Sequence, residues 1–254
     1  MLNVTTTAMQ ERAARFAGVG YLAIIICGIL AEFLIRSTLI EAGDPAETAR
    51  KIAESESLFR LSIVGDVVML TFDALVAVAL FVVFRTFSPA VAFVSSAFRL
   101  LHTAIYGAML ITLFFAWELT TGADYLQGLG VEQSQALGLL FIEAHAYGYA
   151  LALMFFAIHV VFLGYLVIRS GYMPRVLGYM LIAAAIGYFA DGLARTLMTN
   201  YAEHEDTFGI VVFGPAFIAE LAFTGWLLFK GIRVGSSDRR VSASRQEAGL
   251  QPGG

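Results

Sequence analysis

The chain has 254 residues, 59% of them hydrophobic and only 14% charged. A soluble domain carries about 25% charged residues, so this deficit excludes an ordinary water-soluble domain and points to lipid as the surrounding solvent. A net charge of −4 offers no basic surface to nucleic acid, and Cys27, the single cysteine, excludes an intrachain disulfide.

Arg12 and Arg15 precede a first apolar run that begins like a signal peptide. It continues for roughly 25 residues, through Glu32 and Arg36, without a cleavage site, so a retained helix is expected. About six segments, near 16–40, 61–84, 90–119, 136–168, 174–198 and 208–230, are apolar enough to cross a bilayer, each supplying the roughly 20 residues that a span requires. No alternation of barrel type appears, and only helices then close their backbone hydrogen bonds in lipid. The expected fold is all-α: a polytopic membrane helix bundle of about six transmembrane helices over 16–230. Residues 1–15 form a cytoplasmic N-terminus and 231–254 a polar, disordered cytoplasmic tail. Between the first two spans, Asp44 and Pro45 are placed as N-cap and N1 of an outer amphipathic helix near 45–59. Gly122, Asp124, Gly128 and Gly130 mark a loop before the fourth span. That span is the longest run: from Phe141 to Ile168 there is neither Lys nor Arg, and His145 and His159 share one helical face. Glu118 and Glu143 fall near the outer interface beside His145, with Tyr147 and Tyr149 suited to an aromatic belt.

Basic residues give the orientation. Ten of the 16, from Arg12 to Arg245, fall on one side of this topology, against Arg50, Lys51 and Arg60 on the other. Both termini are therefore expected in the cytoplasm of a cell membrane. Gly28–Ser37 and Gly187–Thr196 also look alike, each preceded by an arginine and a glycine three places later. A duplication here would be parallel.

An ionised side chain at mid-bilayer costs roughly 2.5–3.5 kcal/mol, so the remaining charges must face the interior. Asp73 lies twelve positions from Arg85, His159 ten from Arg169 and Glu220 ten from Lys230. At ~1.5 Å per residue these, with Arg99 and His102, fall in one layer near the midplane. A second layer, nearer the outside, holds Glu32, Arg36, Asp66, His145, Asp191 and Arg195. Within it Glu32/Arg36 and Asp191/Arg195 are spaced as i,i+4 pairs.

Three readings stay open. Carboxylates outnumber arginines inside the spans, which suits a transporter or sensor binding a small ligand, ion or proton at the midplane. Alternatively Arg99 bridges Asp73 and Glu220 in a structural, partner-binding bundle with a buried ion-pair network. Third, His102 and His159 with Asp73 or Glu220 hold a metal and a water in an intramembrane hydrolase, although no HExxH or HxxxH pattern is present. No cofactor, ligand identity or oligomeric state is legible; the bilayer is the one partner that composition specifies.

Several runs carry a resemblance. They include Ala31–Arg36, Ser55–Leu61 with Gly65 and Asp66, and Phe98–Leu100. Ala144–Tyr149, Tyr172–Arg175 with Leu177 and Gly178, and Pro215 with Glu220 continue it. These resemble a bacterial multi-pass membrane family labelled as domain of unknown function four-three-eight-six. The resemblance spans nearly the whole chain outside the first dozen and last two dozen residues. It implies an integral bacterial membrane protein and brings no catalytic residue with it.

Overall fold

Each long apolar run closes its own backbone hydrogen bonds as helix, the form that lipid demands. The computed structural model describes residues 2–122, 126 and 128–232, with side chains from Thr7 onward. Among these residues there is no strand. Asp124, the cations from Arg233 to Arg245 and nearly all of the expected polar tail lie outside the described residues.

Seven helices carry the fold. Helix α1 runs Leu2–Gly28 and continues through a π-helical stretch, Ile29–Arg36, into Ser37–Leu39. The short α2 (Pro45–Glu54) connects it to α3 (Glu56–Phe84). Then come α4 (Pro89–Thr121), α5 (Val131–Ser170) and α6 (Arg175–Leu197). The last, α7 (Glu205–Phe229), contains a second π-helical stretch at Gly209–Phe213. All but α2 are long and apolar enough to cross a membrane. Phe33, Leu197, Ile210 and Phe229 stand exposed on their outward faces, a pattern suited to lipid and costly in water.

The order in space is a closed ring. Helix α1 packs on α3, α3 on α4, α4 on α5, α5 on α6, α6 on α7, and α7 returns to α1. Two apolar cores stack along it. One includes Ala17, Val83, Leu163 and Phe223; the other, toward α2, includes Phe59, Leu110 and Ile142. Along α3 the sequence passes from Leu70 in one core to Val76 in the other, and Asp73 falls in between. The α5–α6 crossing is the tightest seam. A Cβ added at Gly164 would lie 2.8 Å from the Gly178 carbonyl oxygen, and one at Gly178 would lie 2.7 Å from that of Gly164. The two backbones meet because neither residue has a side chain. Gly171, at φ 70° between them, lets α5 end and the chain turn back.

Three sequence expectations shift. The boundary at 16 marks the start of the apolar run, and the helix itself begins at Leu2. Gln10, buried, donates to the Val83 carbonyl at 2.7 Å and to Thr86 Oγ1 at 2.6 Å, using an orphan carbonyl at the end of α3 to anchor the early turns. The outer helix starts as expected, with Asp44 accepting from the Glu47 amide at 2.9 Å. It stops at Glu54, and it buries Thr48, Ala49 and Ile52 against α4 and α5. The two resembling stretches differ in backbone: 29–36 is π-helical and 187–196 is α-helical.

Candidate functional site

Arg99 is the centre of the midplane layer and is 1% exposed. Its Nη2 donates to Asp73 Oδ1 at 2.6 Å and its Nε to the Asp73 backbone carbonyl at 3.3 Å. Nη1 donates to the Tyr21 hydroxyl at 2.6 Å and faces His159 Nε2 at 3.2 Å. His159 Nδ1 lies 2.9 Å from the Ser95 carbonyl. That contact puts the ring proton on Nδ1 and leaves the Nε2 lone pair for Arg99. Thr103 donates to Asp73 Oδ2 at 2.5 Å. The guanidinium plane is covered by the rings of Tyr21, at 4.6 Å, and Phe156, at 5.3 Å, which is favourable cation–π packing. Each of the three Arg99 nitrogens has an acceptor, as a buried cation requires.

Beside this network lies a cavity of about 100 Å³. Each of the six spans gives it a wall: Tyr21 and Ile24 from α1, Met69, Leu70 and Asp73 from α3, Arg99 and His102 from α4. Tyr149, Leu153 and Phe156 come from α5, Tyr188 from α6 and Glu220 from α7. The space admits several waters, an ion or a very small molecule, and it is well below the 300–1,000 Å³ typical of drug-sized ligands. Glu220 accepts a hydrogen bond from the Tyr188 hydroxyl at 2.8 Å. Arg99 pairs with Asp73 and makes no ion pair with Glu220, so the expected bridge across both acids is a bridge to one. His102 lines the cavity, 7% exposed, with Nδ1 buried and without a hydrogen-bond partner.

Of the five residues expected at the midplane, Asp73, Arg99, His102 and Glu220 thus share the cavity wall. His159 braces Arg99 from the α5 side. The donor set of the hydrolase reading is not gathered, because both His159 nitrogens face other partners. Among the described residues no group of three His, Cys, Asp or Glu is spaced to hold a metal.

The outer layer divides in two. Arg36, also buried, donates to Asp66 at 2.5 Å and to Glu32 at 2.7 Å, and the Tyr106 hydroxyl donates to Asp66 at 3.0 Å. The π-helical stretch contains Glu32 and Arg36 themselves, a backbone form common at functional positions. His145 is buried in the same neighbourhood, its ring 5.3 Å from Tyr106 and its Nδ1 donating to the Met109 carbonyl at 3.3 Å. Asp191 and Arg195 do not pair with each other. Asp191 accepts from Tyr201 at 2.7 Å, while Arg195 pairs with Glu205 and lies over the Tyr201 ring at 4.8 Å. Tyr201, in the α6–α7 connection, takes the place between them that helical spacing assigned to a direct contact. Its hydroxyl is pushed up to about 12 by burial and by donating to Asp191.

The polar residues of the cavity wall that the sequence reading does not assign to the midplane layer are the tyrosines Tyr21, Tyr149 and Tyr188. Tyr149, expected in an interfacial belt, is 36% exposed and also lines the cavity, packing on Tyr106 at 5.1 Å. The sequence reading does not place Tyr21 or Tyr188 in that layer. A tyrosine reads as an ordinary membrane residue, and only its depth, shared with the charged layer, could have drawn notice.

Six apolar, membrane-length helices packed in a ring make this a multi-pass membrane protein. The family model described as "Domain of unknown function (DUF4386)" matches residues 16–231, and the chain belongs to that family. It is 31% identical over 170 residues to a protein of Archaeoglobus fulgidus described as an "Uncharacterized protein", which covers 67% of this chain and 83% of that protein. No solved structure matches it.

Proposed function

We propose that the ring binds a small ligand, ion or proton in its midplane cavity and acts as a transporter or sensor of it. One observation carries this reading: all six spans contribute to one cavity whose wall holds Glu220, a carboxylate with a hydroxyl partner and no cation paired to it among the described residues. A bundle that needed only stability would match that half-buried acid or replace it, since a charge inside a membrane span is costly without a partner. The Asp73–Arg99–His159 half, closed by hydrogen bonds, supports the structural reading for that half alone. We further propose that both termini face the cytoplasm of the cell membrane. The excess of Lys and Arg on the side of Arg12, Arg85 and Arg169 supports this, and labelling of single cysteines placed at each end of intact cells tests it.

The binding reading is tested by thermal unfolding of the purified protein in detergent against protons, metal ions and small metabolites. Wild type is compared with Asp73→Asn and Glu220→Gln. A ligand at 100 times its dissociation constant stabilises by about 2.7 kcal/mol. Stabilisation that Glu220→Gln loses supports the cavity as the site. Variants that respond to every probe as wild type does would sink it.

A further inference from the structure

Charge around the cavity does not balance. Asp73 and Arg99 cancel at 2.6 Å, and the Arg99 plane is covered by Tyr21 and Phe156. Glu220 is left over. The Tyr188 hydroxyl at 2.8 Å supplies a hydrogen bond but no charge, so an occupant of charge +1 completes the site. His102 lines the same cavity with its ring more than nine-tenths buried, and its Nδ1 is closed to a water-sized molecule.

The rest of the wall narrows the choice. Ile24, Met69, Leu70 and Leu153 are apolar, and Tyr149, Phe156 and Tyr188 present aromatic rings. Hard metal cations are held by six or more oxygens and gain nothing from apolar walls. A protonated primary amine carries the charge and several N–H donors on one atom, with an alkyl group that apolar walls accept and aromatic faces favour. A volume of about 100 Å³ restricts it to a few heavy atoms.

We infer that the cavity binds a small primary alkylammonium ion, with its ammonium group against Glu220 and its alkyl group against Leu153 and the rings of Tyr149 and Tyr188. This inference rests on the binding function proposed above and specifies the ligand class.

The test titrates the purified full-length chain in detergent with methylammonium and ethylammonium chloride. Tetramethylammonium, sodium and potassium chloride at matched ionic strength, neutral acetamide, and acid alone are the comparison arms, read by calorimetry and by Tm. The expected result is saturable methylammonium binding at least tenfold tighter than that of sodium, potassium or tetramethylammonium. Glu220→Gln weakens it at least tenfold. Should Glu220→Gln fail to fold, Leu153→Phe takes its place, because a larger side chain on the cavity wall takes up space while the acid is kept; retained methylammonium binding there overturns the assignment. An equal response to the metal ions, or to tetramethylammonium, which has no N–H, overturns the alkylammonium assignment and leaves the cavity as a cation site. A response to acid or acetamide alone, lost in Glu220→Gln, overturns it and leaves a proton or neutral-ligand site. No response in any arm overturns both the ligand class and the binding function.

Discussion

Two buried arginines of this bundle, Arg99 and Arg36, are 1% and 3% exposed and both reach an aspartate on α3, yet their surroundings differ. Arg36 gathers two acids, Asp66 and Glu32, and the second of these is 57% exposed. Its surplus negative charge therefore lies where water or headgroups can screen it. Arg99 gathers one acid, then fills its remaining donors with Tyr21 and His159. The surplus acid of that layer, Glu220, is left across a cavity in the middle of the ring. The same residue types thus gather both acids around one arginine in one place and leave the second acid on a cavity wall in the other. What separates them is where the second carboxylate stands.

The comparison breaks most sharply at Arg99. Arg99→Leu leaves Asp73 buried without its partner and should cost about 3–5 kcal/mol of stability. Replacing both residues with Leu should recover most of that loss, as judged by reversible unfolding in detergent. Arg36→Leu should cost less, about 2–3 kcal/mol, because one of its two acids is partly in solvent; a loss equal to that at Arg99 would erase the distinction. Glu220→Gln keeps an acceptor for Tyr188 and removes the unmatched charge, so it should stabilise the ligand-free protein by about 1 kcal/mol or more. Glu32→Gln should change it by less still, under about 0.5 kcal/mol. A third arginine site sharpens the gradient. The Tyr201 hydroxyl beside Arg195 and Asp191 holds its proton to about pH 12 in the folded chain, against 10.0 ordinarily. The unfolded chain loses that proton first, so the contribution is intact below pH 10 and disappears as pH rises toward 12. Tyr201→Phe should flatten that part of the stability profile.

Much of the fold was legible because lipid imposes length and apolarity on every span, and the six spans stand where those properties peak. Asp73, Arg99, His102 and Glu220 were legible for the same reason: ionisable residues interrupt apolar runs, and counting along 1.5 Å rises puts them at one depth. Depth does not give azimuth. Whether Arg99 meets one acid or two depends on how α3, α4 and α7 are rotated about their axes, and only the packed ring fixes that. Spacing within one helix also cannot foresee a side chain arriving from elsewhere, so Tyr201 displaced the expected Asp191–Arg195 pair. The π-helical stretch at Ile29–Arg36 leaves no trace in hydrophobic periodicity. The cavity is the space left by twelve residues from six helices, and no local pattern encodes it.

The assignment of Arg99 to Asp73, with Glu220 left free, is tested most directly by a double-mutant cycle. Stability is measured for Asp73→Asn and Glu220→Gln, each in wild type and in the Arg99→Leu background. Coupling of about 2–3 kcal/mol between Arg99 and Asp73, with under about 0.5 kcal/mol between Arg99 and Glu220, is the expected result. Equal coupling of Arg99 to both acids would show that Glu220 is already matched by the protein, and would contradict its role as the open charge of the cavity.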